Sequence, residues 1–102
     1  MVVVLILFVV FLILFLILIL ILILAQIYHN MGVILQSSKQ YPQCIEAYKE
    51  SLRNNPKDDE TRYNLALAQK LLKQYLSQRL ALRMALAVFL APISRIRARS
   101  PE

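Results

Sequence analysis

Tryptophan is absent, and glycine, cysteine and histidine occur once each, as Gly32, Cys44 and His29. A lone cysteine excludes a disulfide framework, a lone cysteine and histidine exclude a zinc cluster, and a lone glycine excludes a glycine-rich phosphate loop. Charge is missing too: residues 1–38 contain no Asp, Glu, Lys or Arg. About two thirds of the 102 residues are then left for water-soluble work, which allows one small domain at most. With so few chemically versatile side chains, neither an enzyme nor a bound cofactor or metal is expected.

The net charge of +6 is unevenly spread. Residues 39–68 hold five basic side chains (Lys39, Lys49, Arg53, Lys57, Arg62) and five acidic ones (Glu46, Glu50, Asp58, Asp59, Glu60), which cancel. Residues 69–102 hold seven basic groups (Lys70, Lys73, Arg79, Arg83, Arg95, Arg97, Arg99) against Glu102 alone. The neutral middle lacks the electrostatic footprint of a nucleic-acid binder.

What the chain has in excess is an apolar run. Residues 2–25 are 24 consecutive Val, Leu, Ile, Phe and Ala side chains, and as a helix they extend about 36 Å, enough for a bilayer core of about 30 Å. Both faces of this run are equally apolar, so lipid is the environment that satisfies it. A cleaved signal peptide fits less well, because no basic residue precedes the run and only Ala25 is small. Lys39 and the α-amino group are the only positive charges near the span, which leaves its orientation almost unspecified.

Beyond the run, the helix is predicted to continue to about Ser38, with Ile27, Met31, Ile34 and Leu35 as its buried stripe. Ser37–Gln40 form a turn. A second helix opens at Pro42, suited to a first turn by its fixed φ, and buries Tyr41, Ile45, Tyr48 and Leu52. Asn54, Asn55 and Pro56 stop it. A third begins near Asp58 or Asp59, where three carboxylates face the positive end of the helix dipole. Its apolar stripe is Leu65, Ala68, Leu72 and Leu76, and Pro92 is expected to end it.

The 34 residues from Ala25 to Asp58 resemble one tetratricopeptide (TPR) repeat, through Tyr28, Met31, Gly32 and Leu35 and then Tyr41, Cys44, Ile45, Tyr48, Ser51, Leu52 and Pro56. Asp59 to about Gln74 looks like the first helix of a following repeat, with Leu65 and Ala66 in place. Residues 45–72 are most similar to the TPR proteins of the bacterial aerotolerance (Bat) operon, departing from them at Cys44, usually Ala, and at Lys39, often Gly. The expected fold is all-α: a transmembrane helix (1–25), a TPR repeat (26–58), an incomplete second repeat running into an apolar helix (59–91) and a disordered basic tail (92–102). Tyr28, Gly32, Leu35, Cys44, Tyr48, Leu52, Pro56 and Leu65 are the expected repeat-packing residues. Gly32 marks a helix crossing too close for a side chain.

The resemblance implies a non-catalytic scaffold that binds an extended peptide or another protein, with a von Willebrand factor A-domain membrane protein as candidate partner, at the periplasmic side of a bacterial inner membrane. The expected peptide groove is lined by His29, Val33 and Gln36, with Gln26, from the first helix and by Tyr63, Leu67 and Lys70, with Glu60, from the third. The alternative is that these are simply solvated helix faces. Cys44 and His29 are the only pair that suggests nucleophilic catalysis, and the repeat pattern separates them: Cys44 is expected to be a small buried hydrophobe and His29 a solvated surface residue.

From Leu80 to Ala91 only Arg83 is polar. This segment is either an interfacial membrane anchor or a substitute cap packed on the incomplete repeat. One and a half repeats bury little, so partner binding, self-association or lipid is expected to supply the missing stability. A reading of another class also stands: a small membrane peptide or truncated gene fragment whose hydrophobic ends only associate with lipid.

Overall fold

The computed structural model describes the backbone of residues 1–99 and side chains through Pro92. It contains three helices and no strand among the described residues: α1 (Val2–Ser37), α2 (Tyr41–Asn54) and α3 (Asp59–Arg99). The chain divides into two compact units, Met1–Gln69 and Lys70–Glu102.

In the first unit α1 is unbroken for 36 residues, about 54 Å. The apolar run and the first helix of the repeat are thus one element. Every side chain from Val2 to Leu24 is exposed around the whole circumference, and the helix is long and apolar enough to cross a membrane.

The buried stripe of α1 differs from the expected one. Ile27, Met31 and Ile34 are exposed, whereas Ala25, His29 and Gly32 are buried and Tyr28, Leu35 and Gln36 are half-buried. Close helix approach selects small side chains at the crossing, so the bulkier Ile27 and Ile34 are turned outward.

The turn after α1 is a Schellman motif. Gln40 N–H donates to the Leu35 carbonyl (2.9 Å) and Lys39 N–H to that of Gln36 (3.0 Å), while Lys39 adopts φ 60°. The chain then enters α2 with Pro42 in the first turn, as expected. Its buried face is Tyr41, Cys44, Ile45, Ala47, Tyr48 and Ser51; Leu52 is half-buried.

Asp58 caps α3. Its Oδ1 accepts from Thr61 N–H (3.2 Å) and its carbonyl from Arg62 N–H (3.1 Å), so the carboxylate occupies an orphan donor of the first turn. Of the expected α3 stripe, Ala68 is fully buried, Leu65 and Leu72 are half-buried and Leu76 is exposed.

In the second unit α3 continues to Arg99 with Pro92 inside it, where an end was expected. Proline removes one i→i−4 bond at a cost of about 3 kcal/mol, and the Leu- and Ala-rich turns before it favour helix enough to carry the backbone through. The expected disordered tail is therefore helical from 92 to 99, and its last three residues lie outside the described residues. Leu80, Leu82, Met84, Leu86, Val88, Phe89 and Leu90 are all exposed.

Candidate functional site

The repeat is assembled around Tyr48, which is 1% exposed. Its ring lies against Gly32 so closely that a Cβ there would be 2.5 Å from Cδ1 and 3.0 Å from Cζ, and helix crossing at this distance requires glycine. The Tyr48 hydroxyl donates to Gln36 Oε1 (2.9 Å), and its ring is tilted against that of His29 with centroids 5.9 Å apart. One aromatic side chain thereby fixes three positions of α1.

Two further polar contacts close the assembly. Ser51 Oγ donates to the Ala25 carbonyl (2.8 Å), both residues being buried. This bond joins the end of α2 to the last residue of the apolar run. His29 Nδ1 lies 2.6 Å from Thr61 Oγ1, and that hydroxyl donates to Asp58 Oδ2 (2.6 Å), so α1 is tied to the cap of α3. His29 is buried, not solvated as expected: the first turn of α3 covers it, and Thr61 supplies the polar partner that a buried imidazole requires.

Residues 25–58 match the family model of the tetratricopeptide repeat. No curated protein and no solved structure matches the chain. The matched segment ends at the residue that caps α3, and it contains α2, the turns at both of its ends and the part of α1 that α2 crosses. The match covers one third of the chain and identifies one TPR repeat, a unit that commonly serves protein–protein interaction.

The expected packing residues of the TPR hairpin are distributed unevenly. Gly32, Cys44 and Tyr48 are buried; Tyr28, Leu35, Leu52 and Leu65 are half-buried; Pro56 is exposed in the turn, its carbonyl accepting from Arg62. Tyr28, Met31, Leu35, Pro42 and Ala47 line an open apolar groove of about 480 Å³ that sequence reasoning did not single out. Thr61, fully buried, is a core position that the sequence pattern does not mark, whereas Ala68 of the expected stripe and Ser51 of the repeat pattern are buried.

Of the expected peptide groove, Val33 and Tyr63 are exposed and Leu67 is half-buried, while Gln36 is held by Tyr48 and His29 is covered. Lys70 is exposed in the second unit. Three ion pairs lie along single helices: Lys49 with Glu46 (3.3 Å), Arg53 with Glu50, and Arg62 with Asp59 (2.6 Å).

The chemistry of the site is that of a closed core. Burial pushes the Cys44 thiol up, against a weaker lowering by the Tyr48 hydroxyl, which disfavours the nucleophilic thiolate. Tyr48 is pushed up to about 12, chiefly by burial and then by neighbouring Cys44. His29 directs Nδ1 at Thr61, and its Nε2 is 3.9 Å from Glu60 Oε1, so neither ring nitrogen is offered to Cys44 as a base.

Proposed function

We propose that this chain is a membrane-anchored, non-catalytic TPR interaction module, with residues 2–24 in lipid and the hairpin held directly at the bilayer surface. The Ser51 to Ala25 hydrogen bond carries this reading, because it leaves no linker between the apolar run and the packed repeat. A hairpin mounted on a continuous helix presents its surface at a fixed height above the membrane. Its partners are then other membrane-associated proteins or their extended segments.

The docking face we assign is Val33, Tyr63 and Leu67, with His29 and Gln36 behind them as support. An exposed tyrosine beside apolar groups gives a large contact at low entropic cost. The resemblance to the Bat-operon proteins supports a bacterial cell-envelope role, a periplasmic location and a von Willebrand factor A-domain partner. Crosslinking and pull-down from detergent-solubilised membranes test it: Tyr63→Ala with Val33→Ser should lose the partner while the hairpin remains folded. Retention of every partner by the double variant removes this face from the account. The lipid-only alternative is separated by deleting residues 39–74: if all cellular effects survive that deletion, the interaction reading is wrong.

A further inference from the structure

We propose that the second unit is itself a lipid-binding element, in which α3 from Leu80 to Ala91 lies along the headgroup and acyl-chain boundary of an anionic bilayer and Arg79 and Arg83 meet the headgroups. In the structure the large apolar side chains of this segment are exposed around the whole helix, from 49% at Leu86 to 71% at Phe89 and 74% at Val88. A helix apolar on all sides is stable only when buried in protein or in lipid. Twelve residues extend about 18 Å, too short to cross the core, and basic residues at both ends, Arg79 before the segment and Arg95, Arg97 and Arg99 after it, favour an orientation along the surface.

Charge complementarity selects the occupant. Lys70, Lys73, Arg79 and Arg83 precede or interrupt the segment, and the sequence from 69 to 99 contains no acidic residue. A protein groove that accepted this helix would have to match four or more cations; an anionic leaflet does so over its whole area. Each Lys or Arg near such a surface strengthens partitioning by about five-fold. Arg83, the one polar interruption, has a stem long enough to reach the headgroup level from within the apolar stretch.

The inference is independent of the anchor at residues 2–24, and its test reads a different position. The full-length Cys44→Ala/Leu86→Cys protein, labelled at position 86 with an environment-sensitive dye, is reconstituted in phosphatidylcholine vesicles with or without phosphatidylglycerol. Blue-shifted emission quenched by bromine-labelled acyl chains is expected with phosphatidylglycerol, weakened by salt and reduced about five-fold for each of Arg79→Gln and Arg83→Gln. Water-like emission in both vesicles overturns the proposal. So does blue-shifted emission that the brominated lipids do not quench, which would mean burial in protein, including a second copy. Alkaline extraction of the same samples reports the anchor separately.

Discussion

His29 Nδ1 and Thr61 Oγ1 are 2.6 Å apart, across 32 residues of sequence. The threonine hydroxyl has one proton and gives it to Asp58, so His29 must carry a hydrogen on Nδ1 and donate it to Thr61. Asp58, Thr61 and His29 form a directed chain from the α3 cap into the buried face of α1. Thr61→Val keeps the shape and breaks the chain, leaving a buried imidazole N–H unpaired; the expected loss is about 1–3 kcal/mol. Thr61→Ser should retain most of it. Urea unfolding of the detergent-solubilised protein, followed by circular dichroism, gives both values, and equal stability of the Val and Ser variants contradicts the chain.

Gly32→Ala sets two effects against each other. Alanine favours helix by about 1 kcal/mol, whereas overpacking a core costs about 1–3 kcal/mol. The contact is with the body of the Tyr48 ring and not with a flexible chain end, so the steric term wins. Net destabilisation of about 1 kcal/mol is expected in the same unfolding measurement, and in the Tyr48→Leu background, where the ring is gone, Gly32→Ala should no longer destabilise.

Lys39→Gly should do the opposite. Lys39 holds φ 60°, a conformation that costs a residue with a Cβ about 1–2 kcal/mol. Glycine loses more chain entropy on folding, about 0.5–1 kcal/mol, which leaves a net gain of about 0.5–1 kcal/mol. A raised unfolding midpoint with an unchanged slope is the predicted outcome.

Asp58 is lowered from 3.8, first by the Thr61 hydroxyl and also by the Thr61 backbone N–H. Its folded-state pKa therefore lies below the unfolded one, so its contribution is complete above about 3.8 and is lost as pH falls through the folded value. Asp58→Asn should lower stability at neutral pH and flatten the acid limb of the stability profile. An acid limb identical to the parent's would show that Asp58 is not coupled to folding.

The parts of this fold that sequence made legible are those where one residue type has one physical use. Pro42 in a first turn, Asn54–Pro56 as a stop, Gly32 at a close helix crossing and the Tyr41–Ile45–Tyr48 spacing all appear where expected. The buried face of α1 was read wrongly because apolarity does not report burial in a chain this greasy: Ile27 and Ile34 look like core, yet the crossing took Ala25, His29 and Gly32. Lone histidines are similarly ambiguous, because solvation and a buried partner 32 residues away leave the same local pattern. Pro92 carries the local signature of a helix stop, yet a single proline is a finite cost that good helix formers offset, and α3 runs through it.

The central claim is that lipid holds residues 2–24 while the repeat begins at the membrane surface on the same helix. Intact-mass measurement of the chain recovered after alkaline washing of membranes tests it most directly. The account predicts a membrane-pellet species of 11.8 kDa with its first 25 residues still attached. A chain found in the supernatant, or a membrane species lacking those residues, would contradict it.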